Sequence, residues 1–250
     1  MEEPSGARPR AVGPSSFARH LARSLAARWP RLRPLLPAAV IAAGWPACTQ
    51  GEGPLVAFLG DSLTSGWRLR EKEAYPALVA RALAARGRPI RVINAGVSGD
   101  SAAQGLARLP EVLKHRPDVL VVALGANDGL GAWSLDETEA ALRRIVLDAQ
   151  AKGARVLLVG IRLGTGRKAP RIGATAGDPD RAARLLEIHA RLASTHRVPL
   201  VPDLLAGVTG EADLLFPDRL HPNAAGHERL ATNVRPSLEL VLAEIEAGRR

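Results

Sequence analysis

The chain has 250 residues, 46% hydrophobic and 24% charged, with a formal net charge of +9; that is the composition of a soluble globular protein, long enough for one domain of up to about 200 residues plus an extension. One cysteine excludes an internal disulfide and a thiolate metal cluster. The excess charge is dispersed and aromatic residues make up only 3%, which argues against base-stacking platforms and a nucleic-acid partner.

Residues 1–53 read as an extension. The stretch 1–33 is rich in Arg, Pro, Ser and Ala, and Leu35–Ala47 is an apolar run that leads to Cys48. A basic segment, a short apolar run and a small residue before a cysteine resemble a bacterial export signal, and the run is too short to span a bilayer. Ala47-Cys48 also resembles the end of a lipoprotein signal, although Trp45, Pro34 and Pro37 depart from that pattern. The expectation is export to the periplasm or cell envelope, with lipidation at Cys48 and membrane-surface association through the N-terminus as the weaker option. The alternative is a cytoplasmic protein with a disordered N-terminal tail.

Residues 54–250 read as a single α/β domain. Leu55–Leu59 is an apolar run bounded by Pro54 and Gly60, as expected of a strand buried on both faces. It leads through Gly-Asp-Ser, ending at Ser62, into a segment that can open a helix. Helical spacing follows over Tyr75–Arg86, and Ile90–Ile93 is the second strand. Ser101–His115 reads as a helix interrupted near Gly105 and Pro110. Asp118–Leu124 is the third strand, with a loop over Gly125–Gly131. A helix from Ser134 to Lys152 is announced by the Ser134/Glu137 capping box. Arg155–Ile161 is the fourth strand, and Asp178-Pro179 starts a helix running to His196. Val198–Val201 is the fifth strand, and a last helix spans Asn223–Glu246 with a break or kink expected at Pro236.

Alternating strands and helices predict a three-layer, flavodoxin-like sandwich with a five-stranded parallel sheet in the order 2-1-3-4-5. Four polar blocks then follow the carboxyl ends of strands one, two, three and five: Gly60–Ser62, Asn94–Asp100, Gly125–Asp128 and Asp218–Asn223. Open parallel sheets collect ligands on that edge. Taken singly, each block is ordinary turn or cap chemistry.

Together the four blocks resemble the SGNH hydrolases, also called GDSL esterases/lipases, over residues 54–245, and within them the bacterial thioesterase I/lysophospholipase/arylesterase branch. The resemblance implies a serine esterase with Ser62 as nucleophile, His221 as base and Asp218 orienting the imidazole. It also implies an oxyanion hole built from the Ser62 amide, the Gly99 amide and the Asn127 side chain. Such donors are worth about 3–4 kcal/mol each in other hydrolases. Position 64 is Thr, so the Gly-x-Ser-x-Gly elbow of α/β-hydrolases is absent. No His/Asp/Glu cluster has metal spacing, and no cofactor fingerprint occurs, so neither metal nor cofactor is expected. Asp61, Asp100 and Asp128 are read as braces, and His20, His115, His189, His196 and His227 as structural.

The implied substrates are acyl esters, thioesters or lysolipids, acted on by a monomer. Arg162–Asp180 departs from the family's shorter loop. Arg162, Arg167, Lys168 and Arg171 there either meet an anionic head group or form a solvated basic loop. A carbohydrate O-acetylesterase on the same core, and a non-catalytic envelope-anchored binding domain, are the competing readings.

Overall fold

In a computed structural model, residues 53–131, 133–165, 175 and 177–248 are described. The expected export signal and Cys48 lie outside the described residues, as do Arg167, Lys168 and Arg171.

The sheet has five parallel strands: β1 (Leu55–Gly60), β2 (Arg91–Gly96), β3 (Val119–Ala123), β4 (Arg155–Val159) and β5 (Leu200–Val201), in the order β2-β1-β3-β4-β5. β1 and β3 are buried at every position, which is why both are apolar without alternation. Their register pairs Val56 with Val119 and Phe58 with Val121, while β2 sets Gly96 beside Gly60. The motif-bearing ends of β1 and β2 therefore finish level with one another.

Among the described residues seven α-helices surround the sheet: α1 (Ser62–Ser65), α2 (Tyr75–Ala84), α3 (Ala102–Leu113), α4 (Ala126–Leu130), α5 (Leu135–Ala151), α6 (Pro179–His196) and α7 (Ala224–Gly248). α2 packs with α7, while α5 packs with both α3 and α6, giving the two outer layers of a sandwich. Phe58, Leu59, Leu120, Leu142 and Leu158 sit fully buried between them. Each such side chain contributes about 1.5–3 kcal/mol through lost contact with water.

The predicted interruption of α3 does not occur. The helix runs through Gly105 and Pro110. Pro110 is exposed, and Gly105 lets α3 approach the sheet, because a Cβ there would lie 2.3 Å from Leu124 Cδ1. Nor is α7 broken at Pro236. Leu230, Val234, Leu238, Val241 and Leu242 bury one continuous face while Pro236 points outward, so packing outweighs the local penalty. β2 extends three residues further than expected, into Asn94–Gly96, and part of the expected loop over Gly125–Gly131 forms the short helix α4.

Candidate active site

Ser62 is the first residue of α1, separated from the end of β1 by Asp61 alone. The Asp61 side chain caps this turn by accepting from the Leu63 amide at 2.9 Å. Gly66 closes it in the left-handed region at φ 75°, where glycine carries no Cβ penalty. Ser62 is consequently presented at the carboxyl edge of the sheet.

His221 and Asp218 arrive on the segment between β5 and α7. Here the Phe216 amide donates to the His221 carbonyl at 2.8 Å and the Asn223 amide to the Leu214 carbonyl at 3.0 Å. One Asp218 oxygen, Oδ1, accepts from the Leu220 and His221 amides at 2.9 and 3.0 Å. The other, Oδ2, lies 2.8 Å from His221 Nδ1. On the far side of the ring, His221 Nε2 lies 3.0 Å from Ser62 Oγ. Burial alone would raise the Asp218 carboxyl, but hydrogen bonds from the His221 amide, the His221 ring and the Leu220 amide outweigh it and hold the group below its usual range. A carboxylate so held keeps the proton on Nδ1 and leaves Nε2 free to accept from the hydroxyl. Hydroxyl, imidazole and carboxylate in this line can generate an alkoxide-like nucleophile and pass its proton onward.

The candidate oxyanion donors sit beside Ser62. Gly99 occupies the third position of a turn closed by the Asp100 amide and the Val97 carbonyl at 3.2 Å. Its φ of 87° is the one a type II turn requires there. Among the described residues, neither the Ser62 amide nor the Gly99 amide donates to a protein acceptor. Asn127, in α4, donates through Nδ2 to the Asp100 carbonyl at 2.9 Å and more loosely to Asp61 Oδ2 at 3.4 Å. The first bond fixes the amide group, and the second leaves one N–H weakly engaged.

The acidic residues of the blocks brace this edge. Asp128 accepts from the Ala102 amide at 3.0 Å and the Thr138 hydroxyl at 2.9 Å. Asp100 pairs with Arg108 at 2.6 Å, and Arg108 also donates to the carbonyls of Ala95 and Gly60 at 2.6 and 2.8 Å. Asp61 is fully buried. Desolvation, opposed by the Leu63 amide and reinforced by the Asp128 and Asp100 charges, pushes its carboxyl up to about 7. Two further histidines are structural in form. His189 lies with its ring nitrogens against the Leu185 and Leu124 carbonyls, and His227 Nδ1 accepts from the Tyr75 amide at 3.1 Å. Burial, with the nearby His221, pushes His227 down to about 4.

Two contributors were not anticipated from the sequence. Arg108 ties the ends of β1 and β2 to the Asp100 loop, and no spacing rule points to it. Trp67 stacks on His221 with ring centroids 4.1 Å apart and an interplanar angle of 27°. An aromatic residue directly after the glycine that closes the serine's own helix was the available signal. Of the basic loop residues, Arg162 faces Asp203, with a backbone hydrogen bond of 3.1 Å and an ion pair of 3.6 Å.

The model of the GDSL-like lipase/acylhydrolase family matches residues 58–229. The chain is 35% identical over 189 residues to the esterase TesA of Pseudomonas aeruginosa, covering 74% of this chain and 87% of that protein. It is 38% identical over 166 residues to the thioesterase 1/protease 1/lysophospholipase L1 of Escherichia coli K12, covering 66% and 74%. A crystal structure of TesA superposes with a TM-score of 0.69 at 33% identity, over 75% of this chain and 99% of that one.

Proposed function

Since the chain belongs to the GDSL-like lipase/acylhydrolase family and is a hydrolase of ester bonds, we propose that it cleaves acyl esters and thioesters through an acyl-enzyme on Ser62. The carrying observation is the continuous line from Ser62 Oγ through His221 to Asp218, at 3.0 and 2.8 Å.

In acylation the Ser62 oxygen bonds to the substrate carbonyl carbon as its proton passes to His221 Nε2. The carbonyl π pair moves onto oxygen, where the amides of Ser62 and Gly99 and the Asn127 side chain receive it. Below about pH 7 Asp61 is protonated, which keeps a negative charge away from that oxygen. His221 then returns its proton to the leaving oxygen or sulfur as the tetrahedral species collapses. Water repeats the cycle on the acyl-enzyme, releasing the carboxylic acid and restoring Ser62.

The acyl group is proposed to exceed acetyl. Val97 and Trp133, on loops that follow the carboxyl ends of β2 and β3, stay 40% and 54% exposed, and apolar side chains along a site edge favour an aliphatic tail. The proposed setting is the cell envelope, as the exported N-terminus would imply.

The test is hydrolysis of p-nitrophenyl esters from acetate to palmitate by the full chain and by Ser62→Ala. The expected outcome is a medium-chain optimum and a loss of roughly 10³-fold or more in the variant. An acetate-only profile would redirect the proposal to deacetylation, and equal rates would end it.

A further inference from the structure

Trp67 belongs to a clamp that begins at the serine's own helix. The amides of Gly66 and Trp67 both donate to the Ser62 carbonyl, and the Leu69 amide donates to the Gly66 carbonyl at 2.9 Å. Arg68 takes the left-handed region at φ 63°, with its guanidinium carbon 4.2 Å from the centroid of the indole. Phe216 meets the indole edge-on at 5.8 Å and 84°. Trp67 is thus fixed by the serine's turn on one side and by the His221 loop on the other. It covers the face of His221 while Ser62 and Asp218 hold that ring within its plane.

Resting on the assignment of His221 as the base, we propose that Trp67 is a positioning residue. It keeps the imidazole plane on the Ser62–Asp218 line and stabilises the imidazolium through its π face. The effect is differential. When the Ser62 proton reaches Nε2 and the Oγ–C bond forms, the ring changes from neutral to cationic. The negative face of an indole attracts a cation more strongly than a neutral ring. An interaction that strengthens as charge develops lowers the barrier, whereas equal contact in both states would not. The gain recurs in deacylation, when water gives its proton to the same nitrogen. It vanishes each time Nε2–H is handed to the departing oxygen or sulfur. Arg68 is exposed, so water screens its fixed charge from the ring.

A wall of the right shape would act differently from a π face, and fluorine separates the two. Tryptophans with one to four ring fluorines, installed only at position 67, keep the ring's shape while draining its negative potential. The proposal expects log kcat for p-nitrophenyl butyrate to fall linearly along the series, by roughly 3- to 20-fold overall, with KM constant within about twofold. Trp67→Phe should retain more of kcat than Trp67→Leu. Melting temperatures of the fluorinated proteins verify that all are equally folded. A flat series overturns the π-face role while leaving Ser62 and His221 in place. A His221→Ala enzyme with undiminished kcat would instead overturn the assignment on which the proposal rests.

Discussion

The two halves of the site meet at the 3.0 Å contact between Ser62 and His221, yet they are held in opposite ways. The half that carries Ser62, Gly99 and Asn127 is braced from far along the chain. Arg108 reaches back to the carbonyl of Gly60, Asn127 hangs from the Asp100 carbonyl, and Asp128 accepts from the start of α3. The half that carries His221 braces itself: the Phe216–His221 and Asn223–Leu214 hydrogen bonds and both Asp218–amide contacts fall within one short loop. The lesson is one of dependence. Donor geometry on the first side rests on the packing of three strands and α3, whereas the orientation of the His221 ring rests on a local turn, with the stacked indole of Trp67 as its brace from the other half.

That contrast separates activity from stability. Asp218→Asn should keep the turn, because an amide oxygen still accepts from the Leu220 and His221 amides. It should impose the wrong tautomer on His221 and lower kcat by roughly 10³- to 10⁴-fold. Urea unfolding should move by less than about 1 kcal/mol; a large loss of stability would mean that the turn is not self-sufficient. Arg108→Met reverses the pattern. It strands Asp100, which is nearly buried, and removes donors from two strand-end carbonyls. The expected cost is about 2–4 kcal/mol by urea denaturation, and a cost below about 1 kcal/mol would show that the long-range brace is dispensable.

Asp61, in the first half, and His227, in α7 beside the second, should respond to pH in opposite directions. Asp61 holds its proton in the fold up to about pH 7 but releases it near pH 3.9 when unfolded. Its contribution is therefore complete below about pH 4 and is lost as pH rises towards 7. His227 stays neutral in the fold down to about pH 4, while an unfolded histidine protonates near 6.5. Its contribution is complete above about pH 6.5 and is lost as pH falls towards 4. Asp61→Asn should gain on the wild type by roughly 2–4 kcal/mol between pH 4 and 7, and His227→Asn by roughly 1–3 kcal/mol between pH 6.5 and 4. Denaturation midpoints across that range check both signs. Parallel curves for wild type and either variant would remove that residue from the account.

The same division explains what could be read from the sequence. Apolar runs such as Leu55–Leu59 and 119–123 locate buried strands, Asp178-Pro179 marks the start of α6, and the strand order follows from chain alternation. Asp218 and His221 lie three residues apart, so their pairing is legible as a spacing. Arg108 and Trp67 are not legible in this way, because their partners lie at distances in the chain that only the topology brings together. The continuity of α3 and α7 through proline was hidden for a related reason: local propensity predicts a break, and burial of one helix face overrides it.

The assignment of Ser62 as the residue that forms the covalent intermediate, with His221 as its base, is open to direct test. Its most direct measurement is the reaction of the full chain with a p-nitrophenyl alkylphosphonate, followed by mass mapping of the labelled peptide. One equivalent of p-nitrophenol and a single adduct on Ser62 are expected, with none in Ser62→Ala and labelling slowed at least about 10³-fold in His221→Ala. An adduct on another residue, or an active enzyme that takes up no label, would contradict the claim.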